Sequence, residues 1–344
     1  MPAKSPTRLA AEKLCRTMPD APSRTLAKKL SASHNVTIEQ ARTLIRTSRG
    51  NAGSAHRKNA TKDCVRPNQP AGWKPAMPPS LAEPWLPFEL GNGIRVGVIS
   101  DVHLPYHSPI AVEAAINHIK KRKPNVILIN GDLMDFYALS RYQKDPSKVD
   151  FNAEIESGVE FLAWLRHTFP KCRIVYKYGN HCERYALWVF QNAPLLDKLP
   201  KKLKIAAHDF LVGIMDTALE CEEQGIEVVK DGRPVMAGRL PILHGHESGK
   251  AGLGSSVNGA RGVFLRTLST MMVGHSHRTS QHSEADWQHK QVSTWATGCL
   301  SELNPKYWLV GNRWNHGAAF VEVSSTGDFS VENFRIGPNG EIWR

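Results

Sequence analysis

No apolar run in the 344 residues approaches the ~20 that a membrane span requires, so no membrane association is expected. The first residues, MPAKSPTRLAAEK, lack the apolar middle of a secretory signal. Cysteine is sparse: Cys15, Cys64, Cys172, Cys182, Cys221 and Cys299 are scattered, with no CxxC pair. A disulfide framework and a cysteine zinc site are thereby disfavoured, and a reducing cytoplasm is the expected compartment. Acid is scarce at one end only. Residues 1–75 hold 15 Lys/Arg against 4 Asp/Glu, whereas the remainder holds 29 against 28, so the net charge of +12 belongs almost wholly to the N-terminal segment. A basic arm beside a nearly neutral body fits a polyanionic partner, although a solvated charged surface has the same composition.

Residues 1–50 read as a small basic helical segment. The clearest helix is NVTIEQARTLIRTSRG (35–50), with Thr37 and Gln40 at capping-box spacing, Ile38, Ala41, Leu44 and Ile45 on one face, and Gly50 as a stop. Before it, PSRTLAKKLSASH offers Ser23 as a cap and Leu26, Ala27 and Leu30 as an apolar side. With Arg42, Arg46 and Arg49 on the second helix, the pair resembles a helix-turn-helix that binds nucleic acid; a helical cap or docking arm fits the pattern as well. Residues 51–90 are rich in proline (Pro67, Pro70, Pro75, Pro78, Pro79, Pro84, Pro87) and read as an extended linker whose Trp85, Leu86 and Phe88 dock on the following domain.

From residue 91 to 344 the texture is that of one α/β domain. IRVGVIS, NVILING and RIVYKYG read as strands, with helices at 110–121 and 154–167 between them, and GAAFVEVSSTGDFSVENFRI reads as a hairpin turning at Thr326-Gly327. Residues 204–239 carry a helix around Ile214–Glu223 and the strand IEVVK, either as a cap or as more of the sheet.

Five of the apolar runs end in metal-ligand residue types: ISDVH (Asp101, His103), INGDLMD (Asp132, Asp135), YGNHCER (Asn180, His181), LHGH (His244, His246) and VGHSH (His275, His277). One histidine at a strand end is ordinarily a hydrogen-bonded core residue. Five such endings are another matter, because unpaired charges and imidazoles cost several kcal/mol each to bury. Strand residues two apart point the same way, which would bring Asp101 and His103 to one face. Carboxylate, imidazole and amide oxygen together suit Mn, Fe or Zn rather than calcium. The ligands outnumber the needs of one ion, which points to two ions ~3.5–4 Å apart.

In order, D-x-H, G-D-x-x-D, G-N-H, H and G-H-x-H resemble the calcineurin-like metallophosphoesterase family over residues 94–335. The resemblance implies a metallophosphoesterase-type βαβ sandwich, two sheets flanked by helices, behind the basic N-terminal segment. It implies two divalent metal ions, Mn first with Fe or Zn as alternatives. Asp101, His103 and His277 would hold one, Asn180, His244 and His275 the other, and Asp132 would bridge them. His181 would be the catalytic histidine and Asp135 its orienting carboxylate. Hydrolysis would proceed by in-line attack of a water activated between the ions, with no phosphoenzyme. His246 is the alternative to His244. His107 reads as a rim or structural residue and Cys182 as packing. Glu183 and Arg184 read as an ion pair, with phosphate contact by Arg184 as the alternative, and His282, His289 and His316 as ordinary surface or core residues.

The substrate is less legible. Protein phosphatases of the wider family continue G-D-x-x-D with Arg-Gly and G-N-H with Glu; here Phe136-Tyr137 and Cys182 occupy those places. The basic front segment, RTLIRTSRGNAG and the tail WATGCLSELNP are similar to phosphoesterases of bacteriophages and prophages. A basic module tethered to the catalytic domain would concentrate a phosphodiester substrate, so a nuclease or phosphodiesterase is expected. A phosphomonoesterase acting on phosphoproteins or nucleotides is the alternative enzyme, and an inactive DNA-binding scaffold the alternative from outside enzymology.

Overall fold

The computed structural model describes residues 4–50, 76–82, 84–140, 145, 150–192, 215–247, 258–285, 287–304 and 312–344. It divides into two units, Met1–Ala82 and Glu83–Arg344. Most of the expected linker, at 51–75, lies outside the described residues.

The first unit packs α1 (Pro6–Thr17), α2 (Ser23–Ser33) and α3 (Ile38–Ser48) around Ala11, Leu26, Ala27, Leu30, Ala41 and Ile45. The capping box forms as the spacing predicts: Gln40 N donates to Thr37 Oγ1 (3.2 Å) and Thr37 N to Gln40 Oε1 (2.9 Å). Gly50 takes φ +74° where the helix ends. Three details depart from expectation. The N-cap of α2 is Pro22, which offers no side-chain cap; Ser23 Oγ instead accepts from Arg49. Ile38 is 45% exposed, so the buried face of α3 is narrower than its apolar pattern. Arg49 is not free to meet a polyanion, because one guanidinium nitrogen donates to Met18 O (3.1 Å), Pro19 O (2.8 Å) and Ala21 O (2.7 Å). Removing it would take a charged donor from the carbonyls of the turn between α1 and α2. Charged hydrogen bonds of this kind contribute ~1.5–3 kcal/mol. Arg49→Gln is therefore expected to destabilise this unit by about 2 kcal/mol in chemical denaturation; an unchanged midpoint would contradict the assignment.

In the second unit, β1 (Phe88–Gly91) begins inside the expected linker and pairs with residues Val235–Ala237, and Phe88 packs on the core. Trp85 and Leu86 do not dock as expected; they are 66% and 65% exposed. The chain continues through β2 (Arg95–Ile99), α4 (Pro109–Lys121), β3 (Val126–Asn130), α5 (Phe151–Thr168), β4 (Arg173–Lys177), α6 (Arg184–Asn192) and β5 (Ile226–Val229). It then forms β6 (Val235–Ala237), β7 (Leu240–Leu243), α7 (Gly259–Thr267), β8 (Met271–Val273), β9 (Ser280–Ala285), β10 (Gln291–Ala296), β11 (His316–Val323), β12 (Phe329–Ile336) and β13 (Ile342–Trp343). Of the helix expected around Ile214–Glu223, residues 215–218 are helical before turns lead into β5, and residue 214 lies outside the described set.

The strands form two sheets, β13-β12-β11-β2-β3-β4-β5 and β1-β6-β7-β8-β10-β9. Strands β2 to β5 run parallel, as do β7, β8 and β10. Both faces of the larger sheet are covered, which explains its continuous apolar runs. Val96, Val98, Val126, Leu128 and Val175 face Val235, Leu240, Ile242 and Met272 of the other sheet. The alternate residues Ile99, Ile127, Ile129, Ile174 and Tyr176 face Ile116 and Ile119 of α4 and Leu162 and Leu165 of α5. The result is helix, sheet, sheet, helix, with α7 covering the smaller sheet through Ala260 and Val263. The carboxyl ends of β2, β3 and β4 in one sheet and β7 and β8 in the other lead directly into the five motif loops, the position where ligands gather in such folds.

Candidate metal centre

Every residue expected at the site lies on one of these loops. Asp101, His103 and His277 bring one ligand atom each within 4.8 Å of one another; Asp132, His244 and His275 do the same, as do His103, Asp132 and His181. Asp101, His103, Asp132, His244 and His277 are buried. Asn180 lies beside the glycine that packs on Asp132, and its Oδ1 is buried without a hydrogen bond.

The pleat of a strand does not bring Asp101 and His103 together. Both lie beyond the end of β2 in the left-handed region, at φ +55° and +54°. Asp132 (+47°), His275 (+63°) and His277 (+55°) share that conformation, which is uncommon outside glycine and costs of order 1–3 kcal/mol per residue. Backbone bonds hold it: His103 N donates to Asp132 O (3.0 Å), Asp101 N to Gly131 O (3.2 Å) and Asn315 N to His277 O (2.9 Å). The motif glycines are explained by close approach. A Cβ at Gly131, whose φ is +86°, would fall on the His244 ring, and one at Gly179 would fall on Asp132 Oδ1.

Asp101, Asp132, His103 and His244 are each oriented from behind, leaving one atom turned inward. Asp101 Oδ2 accepts from Ser100 Oγ and from His275 N (3.0 Å), and its Oδ1 makes no hydrogen bond although His277 Nε2 is 3.1 Å away. Asp132 Oδ1 accepts from His181 N (2.8 Å), which leaves Oδ2 3.2 Å from His244 Nε2. His244 Nδ1 donates to Asn130 O (2.8 Å), which fixes the proton on Nδ1; its Nε2 is buried and unbonded. His103 Nδ1 lies 2.8 Å from Asp135 Oδ1, and its Nε2 meets His277 Nε2 tip to tip at 3.1 Å. Imidazoles and carboxylates crowded tip to tip, with Asp101 Oδ1, Asn180 Oδ1 and His244 Nε2 buried and lacking hydrogen bonds, are a poor core and a good cation cradle. The N/O donor set fits a divalent ion of the Mn, Fe or Zn type.

Electrostatics point the same way. Burial opposes ionisation of Asp101, Asp132 and Asp135, yet the surrounding imidazoles outweigh it and hold all three below the usual carboxylate range. Burial pushes His275 down to about 4, helped by the neighbouring His244. For His244, burial is outweighed by Asp132 and Asp101, which lift it to about 9, and Asp101 likewise raises His277. Both folded values exceed the ordinary 6.5, so their protons stabilise the fold fully below pH 6.5, and that contribution is lost as pH rises toward 9. The melting temperature of the protein in chelator is expected to fall over that interval, and saturating Mn should flatten the fall by replacing the protons. A melting temperature in chelator that is flat from pH 6.5 to 9 would contradict this picture.

Asp135 is shared by two imidazoles: its Oδ1 is closer to His103 (2.8 Å) than to His181 (3.2 Å), and His181 Nδ1 donates to Asp135 O (2.8 Å). Glu183 and Arg184 do not pair. Glu183 binds His246 Nε2 (3.1 Å), whereas Arg184 donates to Asp135 O and to His181 Nε2, both at 2.8 Å. His246 stands outside the three ligand groups. Cys182 is buried, and burial pushes its thiol up to about 12, which suits packing rather than attack. His107 is half-buried near Ser301, His316 Nε2 lies 3.0 Å from Ser301 O, His282 lies beside Phe264, and His289 is exposed. Sequence reasoning missed Ser100, Asn130 and Glu247, which orient ligands from behind, and Trp314, whose ring centroid lies 4.3 Å from that of His277.

No helix among the described residues is long and apolar enough to cross a membrane. The chain is 27% identical over 263 residues to the gene 54 protein of Mycobacterium phage L5, covering 72% of this chain and 98% of that protein. It is 25% identical over 264 residues to the gene 54 protein of Mycobacterium phage D29, with the same coverage of each. Similar solved structures include a Vps29 single mutant from Entamoeba histolytica (TM-score 0.33, 11% identity, 73% of this chain and 100% of that one). Vacuolar protein sorting 29 from Cryptosporidium parvum is another (TM-score 0.35, 13% identity, 72% and 94%). The sequence profile of the calcineurin-like phosphoesterases matches residues 94–279, more than half of the chain and the span that carries all five motif loops. This protein belongs to the calcineurin-like phosphoesterase family and resembles its phage-borne members.

Proposed function

We propose that this protein is a phosphoesterase with two divalent metal ions, Mn first, and that its substrates are phosphodiesters of nucleic acid. The observation that carries the reading is the convergence of carboxylates and imidazoles in three groups, two of which share Asp132, with Asp101 Oδ1 and His244 Nε2 buried and unbonded. Asp101, His103 and His277 would hold one ion, Asn180, His244 and His275 the other, and Asp132 would touch both. Such a pair supplies an activated water and neutralises charge on the phosphoryl oxygens. The chain's own groups do the rest. His181 packs its ring 4.5 Å from that of His103 with Nδ1 anchored on Asp135 O; its Nε2, which accepts from Arg184 in this structure, is the edge that would turn to a leaving oxygen and protonate it. Arg184, anchored on Asp135 O, donates with a second nitrogen to that Nε2, and would pass this donor to a phosphoryl oxygen when substrate binds. Asp135 would support the imidazolium as the proton moves.

The nucleic-acid part rests on the uneven charge: the basic excess lies in residues 1–75, and the domain bearing the site is nearly neutral. With Mn, the protein is expected to cleave bis-p-nitrophenyl phosphate and DNA in preference to p-nitrophenyl phosphate. Deleting residues 1–82 should raise KM for DNA and leave that for the small diester unchanged. A monoester preference unaffected by the deletion would replace this substrate assignment with a phosphomonoesterase and leave the metal chemistry standing.

A further inference from the structure

Lys177, the last residue of β4, is fully buried, which is rare for an ammonium unless all its protons are used. Here they are: Nζ donates to Asp231 O (3.2 Å) and Arg233 O (3.1 Å) and lies 3.1 Å from Glu247 Oε1. Glu247, four residues past β7 in the other sheet, turns its carboxylate onto consecutive backbone amides. Oε1 accepts from His244 N (2.9 Å) and Oε2 from Gly245 N (2.6 Å). The remaining holds on His244 are Gly274 N to its carbonyl (2.8 Å) and its own Nδ1 to Asn130 O.

We propose that Lys177 and Glu247 are a positioning pair: the buried ammonium fixes the Glu247 carboxylate, which fixes the His244–Gly245 backbone and thereby aims His244 Nε2 at the ion on its side of Asp132. The inference rests on the reading of His244 as a ligand. Its physical content is selective. The pair bridges β4 to the loop after β7, and it touches no backbone that carries Asp101, His103 or His277. Loosening it should therefore weaken one ion and spare the other. Residues that orient a ligand in this way typically contribute 10–100-fold in metal affinity.

The test measures Mn binding to the full chain, by titration and elemental analysis, and records the spin-coupled Mn–Mn resonance. The variants are Glu247→Gln, Lys177→Met, His244→Ala and, as a control, Arg173→Gln, which breaks the partly exposed Arg173–Glu227 pair at the other end of β4. Wild type should bind two ions and Arg173→Gln should match it. His244→Ala should lose one ion. Glu247→Gln and Lys177→Met should raise about 10–100-fold the Kd of the same ion that His244→Ala loses, leave the other within about twofold, and lose the coupled resonance at sub-saturating Mn. If His244→Ala still binds two ions at wild-type affinity, the ligand reading fails and the positioning role falls with it. If His244→Ala loses an ion while Glu247→Gln binds both normally, or weakens both alike, the positioning role alone is overturned. Thermal unfolding monitors the fold; should Lys177→Met not fold, Glu247→Gln, which keeps the side-chain volume, decides.

Discussion

Replacing Asp132 with Asn is expected to abolish hydrolysis and to remove metal from the protein, with kcat/KM falling by roughly four orders of magnitude, or about 5 kcal/mol on the barrier. Asp132 is the residue common to two of the three ligand groups, and its Oδ2 is held by the bond from His181 N to Oδ1. An amide there keeps the volume and one oxygen but loses the negative charge between the imidazoles of His103, His181 and His244. Activity and metal content should therefore fall together. If DNA binding persists in Asp132→Asn and the wild type shows no metal-dependent hydrolysis to lose, the domain is a scaffold and not an enzyme.

His181→Ala separates chemistry from metal binding. Its ring is anchored on Asp135 and capped by Arg184, and the variant keeps all seven expected ligands. General acid catalysis by a positioned imidazole contributes about 10²–10⁴-fold. A loss of that size in kcat is expected with two Mn still bound, and it should be smaller for substrates whose leaving group needs no proton, such as p-nitrophenolate esters, than for DNA. An equal loss on both substrates, or loss of an ion, would remove His181 from the proton-donor role.

The two effects differ in how far they could be read from the chain. The candidate ligand residues stood out in the chain because an acid, amide or imidazole at the end of an apolar strand has no packing use, and the pattern occurs five times. The strands were legible because Val96 to Ile99 and Val126 to Ile129 are apolar on both faces, which requires cover on both sides. The conformation that makes the ligands converge was not. Alternation along a strand predicts that Asp101 and His103 share a face, but their left-handed backbone depends on bonds to residues 131 and 132, thirty positions away. Glu247 and Lys177 were invisible for the same reason: a charged residue reads as surface until the fold shows both buried against each other across two sheets. Arg49 reads as one of a row of basic groups, and only the turn it closes takes it out of that row.

Anomalous diffraction from crystals grown with Mn offers the most direct measurement. Two peaks ~3.5–4 Å apart are expected, one within bonding distance of Asp101, His103 and His277, the other of Asn180, His244 and His275, with Asp132 reaching both. A single peak would contradict the paired centre, and peaks away from these side chains would contradict the site itself.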